Sequence, residues 1–234
     1  MRHLLLIASC LHLGFAVPTA LVAGESPVVV ELYTSQGCSS CPPADALLKS
    51  MAGRNDVLPL ALHVDYWDYI GWKDTFGQPE FAARQRAYAH HAGARMVYTP
   101  QMIVGGMDHL VGTRSAMVDK AIKRLRSVPD PVALVLDRVG TKVTLNATAL
   151  GEVPDRMMVQ LVRVSPAETV DIHRGENAGR SITYSHIVRD WIHVGDWDGR
   201  RPFTRHIQVP GPDQVVVIVQ EPGPGRILAA AVLR

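Results

Sequence analysis

The chain is 234 residues long, 47% hydrophobic and 20% charged, with 24 Lys and Arg against 22 Asp and Glu. That composition is globular rather than disordered, and a formal charge of +2 without any Lys/Arg run leaves no electrostatic footprint for nucleic acid. The length allows two modest domains or one large one.

At the N-terminus, Arg2 and His3 precede an apolar run from Leu4 to Val17, and Val22-Ala23-Gly24 supplies small residues at the offsets of a cleavage site. Residues 1–24 therefore read as a secretory signal peptide, and the mature protein is expected in the periplasm or outside the cell. A lipoprotein reading, with Cys10 following Ile7-Ala8-Ser9, is disfavoured because the apolar core before that cysteine falls short of the roughly 7–15 residues expected. No other stretch approaches the ~20 apolar residues needed to span a membrane.

Removal of the leader takes Cys10 with it and leaves one pair, Cys38 and Cys41, inside Gly37-Cys38-Ser39-Ser40-Cys41-Pro42-Pro43. Upstream, Val28-Val29-Val30-Glu31-Leu32-Tyr33 suits a buried strand. Downstream, Ala44, Leu47, Leu48 and Met51 recur at helical spacing, with two prolines in the first turn, where a missing N–H costs little. The cysteines thus bracket a helix N-terminus and lie within disulfide reach. The positive helix end favours a thiolate, which makes Cys38 the attacking nucleophile and Cys41 the resolving thiol. A two-residue loop constrains the unfolded chain least, so the pair is read as chemistry rather than as a staple. A strand, a Cys-x-x-Cys and a helix in that order form the thioredoxin-like redox signature.

Val57 to Val64 reads as a second buried strand. In an open α/β sheet the residues beyond strand ends line the active crevice. Asp65, Tyr66 and Trp67 are accordingly expected beside the cysteines, Asp65 as proton acceptor and the aromatics as groove walls, with His63 a weaker acceptor. Pro79 to Ala92 reads as a helix stopped by Gly93. Thr99-Pro100 opens an apolar strand, where proline cannot donate to the ladder. Gly105-Gly106 turns the chain into Asp108–Gly112, and Met117, Val118, Ala121, Ile122 and Leu125 mark a further helix.

Val128-Pro129-Asp130-Pro131 breaks that helix and is the expected domain boundary. Beyond it come short strands: Lys142 to Leu150 alternates cleanly, Phe203 to Val209 does the same, and Val215–Val219 and Ile227–Leu233 are continuous apolar runs. The expected architecture is α/β plus β, with a thioredoxin-like domain over 25–128 and a small β-sandwich over 131–234. The polar segment His173 to Arg180 reads either as a hairpin tip or as a contact with the cysteine half through Arg174 and Glu176.

Four stretches together, Glu31 to Asp45, His63 to Asp68, Tyr98 to Gln101 and Arg174 to Asn177, resemble a bacterial family of secreted proteins classed as a domain of unknown function (1223). The resemblance implies a thioredoxin-like first half and a β-rich second half. It implies no substrate. The similar order of elements in thioredoxins and glutaredoxins implies that Thr99–Pro100 is cis and faces the cysteines, residue 99 offering its backbone to an extended substrate. No tryptophan precedes Cys38 and no Gly-Pro separates the pair, so a reduction potential cannot be transferred.

The function read from these residues is thiol–disulfide exchange on protein or small-molecule disulfides. The partner would be a protein substrate with cysteines or a redox partner, with no cofactor and no resident metal. Two alternatives use the same residues: Cu(I) delivery by the two thiolates with His63 or Met102 nearby, and a non-catalytic binding protein whose cysteines rest as a disulfide.

Overall fold

The structure is a computed structural model that describes residues 26–233. The expected signal peptide and Cys10 lie outside the described residues. In chain order the elements are β1 (Val28–Thr34), α1 (Pro42–Ser50), β2 (Val57–His63), a 3-10 turn (Asp68–Ile70), α2 (Pro79–His91), β3 (Gln101–Val104), β4 (Asp108–Val111) and α3 (Ser115–Arg126). The all-strand remainder is β5 (Val132–Val139), β6 (Lys142–Ala149), β7 (Met157–Asp171), β8 (Ser181–Trp197), β9 (Phe203–Gln208), β10 (Gln214–Gln220) and β11 (Ile227–Leu233). Among the described residues no helix is long and apolar enough to cross a membrane.

Eight strands form one sheet in the order β11-β10-β7-β8-β2-β1-β3-β4, and β5-β6-β9 form a second. Strand β1 sits between a parallel neighbour, β2, and an antiparallel one, β3. The period-two pattern of β1 and β2 fixes what each face carries. Val30, Leu32 and Ala61 pack under α1 and α3 with Ala44, Leu48, Val118 and Ile122. Val29, Tyr33, Leu58, Leu60 and Leu62 pack on the opposite face with Phe81 and Tyr88 of α2. Thr34 and His63, opposite each other at the strand ends, continue the α1 side.

The expected boundary at residues 129–131 does not separate the strands of the large sheet, which come from both sides of it. It is the connection from α3 to β5, while β8 returns beside β2 with Ala61 opposite Ile187. The physical reason lies in β2, which is buried along its whole length and would otherwise present an unpaired edge. The long strands β7 and β8 were not legible as such, because bulges at Val159/Gln160 and Arg163/Val164 break their alternation. The smaller sheet packs against the larger one. The three-stranded sheet sets Val132, Leu145, Ala147 and Phe203 against Met157, Val159, Val217, Val219 and Leu228 of the large sheet.

Two contacts fasten the halves. The Gly105-Gly106 turn lies against the β10–β11 hairpin so closely that a Cβ on Gly106 would stand 2.2 Å from the Gly225 carbonyl oxygen, and its φ of +74° is also glycine's. Deeper in, Glu31 is fully buried at the centre of β1, where an unpaired carboxylate would be prohibitive. Arg84 of α2 donates to both its oxygens (2.8 and 2.9 Å), and Tyr88 and Tyr33 hydroxyls donate at 2.6 and 3.0 Å. Arg84 also donates to Gln220 of β10 and stacks over Trp191 of β8 at 3.8 Å. Burial works against the Arg84 charge, yet Glu31 and the two tyrosines hold its ionisation well above the usual range.

Removing one member of such a pair strands the other. Arg84→Ala should lower the unfolding free energy in a urea titration by about 3–5 kcal/mol, and a loss below about 1 kcal/mol would show that the pair does not hold the halves together.

Candidate functional site

The cysteine loop begins where β1 ends. Cys38 N–H donates to the Ser35 carbonyl and Cys41 N–H to the Cys38 carbonyl, each at 3.2 Å, which curls the loop into α1. Cys41 is the N-cap, Pro42 and Pro43 fill the first turn, and the Cys41 carbonyl accepts from Ala44 and Asp45 at 2.8 and 3.1 Å. Cys38 and Cys41 are joined as a disulfide, with Cα atoms 5.4 Å apart. Cys38, read as the attacking nucleophile, is only 1% exposed, and Cys41 0%. Segments distant in sequence explain this burial, since they pack on the loop from outside.

One is the stretch after β2. A side chain on Gly37 would meet Trp67 Cβ and Ile70 Cδ1 at 3.2 and 3.1 Å. The other is residues 172–180, between β7 and β8. Asn177, 1% exposed, donates through Nδ2 to the carbonyls of Gln36 and Cys38, each at 2.9 Å, and its Oδ1 accepts from Arg180 at 2.9 Å. Its neighbour Glu176 accepts the Ser39 N–H at 3.2 Å, and hydrogen bonding from Ser39 holds its carboxyl below the usual range. His173 meets the edge of Trp72, whose indole N–H donates to Gln36 at 2.9 Å. Of the two roles read for this segment, the structure shows contact with the cysteine half. Glu176 takes part as expected. Asn177, which makes the buried bonds, was not distinguished by its type.

Thr99 and Pro100 stand on the other side. Their peptide bond is cis, as the resemblance implies. Gly112 lies between Pro100 and α1, where a Cβ would be 3.0 Å from Ala44 and 3.1 Å from Pro100, tighter than an ordinary contact. Trp67 donates its indole N–H to Thr99 Oγ1 at 2.8 Å, so one side chain touches both the cysteine loop and the Thr99 segment. Tyr66 donates to Gln85 Oε1 at 3.1 Å, and Gln85, fully buried in α2, donates to the Tyr98 carbonyl and to Gln101 Oε1, each at 2.8 Å. Burial pushes the Tyr66 hydroxyl up to about 12.

Asp65 is half-buried, and its carbonyl accepts the Asp68 N–H at 3.0 Å. The acids that enter the buried space are two others, Asp45 and Asp74. His63 is fully buried, and its Nδ1 lies 2.8 Å from Asp74 Oδ2, which also accepts the Gln36 N–H at 2.7 Å. Because that oxygen accepts, Nδ1 carries a proton, and Nε2 is buried. Burial raises the Asp74 carboxyl, but His63 and the N–H groups of Gln36 and Phe76 outweigh it and hold the group below its ordinary value. Asp45 is the contrasting case. Burial pushes its carboxyl up to about 7 despite His63 and Thr34, and the Asp74 charge adds to the rise. His63 Nε2, Asp45 Oδ2 and Thr34 Oγ1 have no hydrogen-bond partner in proper geometry.

The chain belongs to the family described as "Protein of unknown function (DUF1223)", whose model matches residues 29–220. A protein from Agrobacterium tumefaciens of known crystal structure is similar to it with 32% identity and a TM-score of 0.77, over 89% of this chain and 94% of that one. HBP35 of Porphyromonas gingivalis shares the fold at 15% identity and a TM-score of 0.64, over 89% of this chain and 75% of that one. No curated protein matches.

Two expectations follow from this geometry. The folded Asp45 carboxyl holds its proton to higher pH than an unfolded one, so its contribution to stability is complete below about pH 4 and is lost as pH rises toward 7. Asp45→Asn should therefore gain on the wild type across that window by up to about 4 kcal/mol, read from urea midpoints at several pH values. Asn177→Ala abandons two buried carbonyls. It should cost about 2 kcal/mol of stability and speed reduction of the disulfide by dithiothreitol, and an unchanged reduction rate would mean that residues 172–180 do not shield the bond.

Proposed function

We propose that this member of the DUF1223 family is a thiol–disulfide oxidoreductase built on a thioredoxin-like arrangement and acting outside the cytoplasm. One observation carries the reading: the disulfide of a Cys-x-x-Cys loop sits at the N-terminus of α1, with Gly112 lying between that helix turn and the cis Thr99–Pro100 segment. Compartment and export rest on the leader-like residues 1–24 and on cysteine use, in which a pair closing a two-residue loop adds little constraint.

In this reading the reduced Cys38 thiolate attacks a substrate sulfur and forms a mixed disulfide while the other substrate sulfur leaves as a thiolate. Cys41 then attacks Cys38 Sγ, restores the 38–41 bond and releases the second substrate thiolate, so two electrons pass from the pair to the substrate. The reverse sequence donates the bond. Positive helix-end potential favours a thiolate on Cys38. Trp67 is half-exposed and stacked on Tyr69, and Tyr69 and Tyr98 are exposed beside Thr99. That apolar rim suits a polypeptide substrate lying along residues 98–100. Burial of Cys38 requires Glu176 to leave the Ser39 amide before attack, and this bond is solvent-exposed.

The same burial favours a second reading, in which the bond remains closed and pins the start of α1. Equilibration with glutathione separates the two. Exchange predicts a measurable dithiol fraction within the range of −120 to about −270 mV spanned by known exchange catalysts, whereas a permanent bond stays oxidised to below about −300 mV. Cys38→Ser should abolish turnover in insulin reduction and in refolding of a scrambled disulfide protein. Cys41→Ser should accumulate a mixed disulfide through Cys38, visible by mass. Undiminished turnover in Cys38→Ser would end the proposal.

A further inference from the structure

The exchange reading brings a substrate to residues 98–100 without saying which substrates fit there. Three arginines reach that segment from different parts of the chain. Arg95 precedes Tyr98 by three residues, within the ~10 Å that so short an extended chain spans. Arg114 arrives by way of β4. Gln101 pairs with Val111 and the Pro100 carbonyl accepts the Gly112 N–H at 3.0 Å, which carries Arg114 back alongside Tyr98. Burial raises the Tyr98 hydroxyl, and Gln101 and the Arg114 charge work against the rise. Arg86 of α2 lies near enough to Tyr66 for its charge to act on that hydroxyl, which is also within reach of Thr99.

All three arginines are exposed, and among the described residues none of them meets a carboxylate. Arg54, Arg84, Arg124 and Arg163, by contrast, each pair with Asp or Glu. Nearby acids are engaged elsewhere: Asp68 Oδ1 accepts the Asp74 N–H at 3.0 Å, and Glu176 accepts the Ser39 N–H at 3.2 Å. Positive charge is thus left over around Thr99 in a chain whose formal total is only +2. Apolar surface accompanies it. Tyr69 and Met96 are 81% and 80% exposed, and Met117 Sδ stands 3.9 Å from Arg114 Nη1.

Resting on the exchange reading, we propose that Arg86, Arg95 and Arg114 form a docking rim that selects acidic polypeptide substrates, with Asp or Glu flanking the disulfide-bonded cysteine. Guanidinium forks grip carboxylates at two points, which a lysine does not match. Helices α2 and α3 pack on opposite faces of the sheet, so Arg86 and Arg114 approach the Thr99 segment from two sides. An extended substrate turns successive side chains to opposite sides and can therefore meet both. Its apolar side chains settle on Met96, Tyr98 and Tyr69. A lipid surface would meet the same charges, but it has no backbone to lay along residue 99.

Short peptides test the rim. Each carries one cysteine as a mixed disulfide with 5-thio-2-nitrobenzoate, flanked by Glu, Gln or Lys, and attack on the peptide sulfur by Cys38 of the reduced mature chain releases the coloured thiolate. At low salt and pH 7 the second-order rate constant for the Glu peptide should exceed that for the Gln peptide about tenfold, because three exposed charge pairs, each worth a small factor, act together. The Lys peptide should be slowest. Raising salt to about 0.5 M should bring the three rates within about threefold. Combining Arg86→Gln, Arg95→Gln and Arg114→Gln should do the same at low salt, chiefly by slowing the Glu peptide. Equal wild-type rates for the Glu and Gln peptides overturn the proposal while leaving exchange intact. A Glu preference that survives in the triple variant, or a variant that slows all three peptides alike, also overturns it. Sedimentation of the wild type with phosphatidylglycerol vesicles, lost in the triple variant and accompanied by equal peptide rates, would give the rim to a lipid surface instead. Release from no peptide at all defeats the exchange reading, and the proposal falls with it.

Discussion

A single buried charge decides how much of this chain must fold as one body. Glu31 lies in the middle of β1, flanked on both sides by strands and covered on its face by α2, so water cannot solvate it. Its four donors come from β1 itself and α2, and the arginine among them is held in turn by Gln220 and Trp191 of the second half. Gln220 donates to Tyr88 at 2.7 Å, and Gln160 to Gln220 at 3.0 Å. A network of this kind is favourable only when every member is satisfied. The helix-bearing half therefore relies on β7, β8 and β10 for the solvation of its own central strand.

This interdependence explains which features were legible in the sequence. Apolar β-branched runs located β1 and β2, helical spacing α1 and α3, a proline start with a glycine stop α2, and the Thr-Pro opening and Gly-Gly turn β3 and β4. The pairing of β2 with β8 has no local signal. It joins residues 61 and 187, and the strand that performs it is bent by bulges that erase the alternation. The proline-bearing stretch 128–131 looked like a boundary on composition; it leads from α3 into β5 of the second sheet, while the large sheet takes strands from both sides of it.

The site divides in the same way. Cys38, Cys41, Thr99 and Pro100 are recognisable because their chemistry depends on neighbours in sequence. Trp67 was expected as a groove wall, and in the structure it links Thr99 to the cysteine loop. Asp45 was named only as the end of a stretch that carries the resemblance, since nothing in its spacing says that the helix turns a carboxyl toward the ends of two strands. Asp74 and Asn177 were equally silent, because the burial that gives them their roles arises from segments 38 and about 140 residues away.

Asn177 closes a loop of chain more than 130 residues long onto the backbone of a cysteine, with both amide hydrogens and the carbonyl engaged. The cysteine motif is consequently not a portable module. A fragment ending after α3 would retain the two sulfurs and the helix but lose the donors that shape their backbone. Lineages that carry this motif would be expected to inherit the β-rich half with it as a single unit of descent, and recombination between the two would give chains whose sulfurs are present but set in the wrong place.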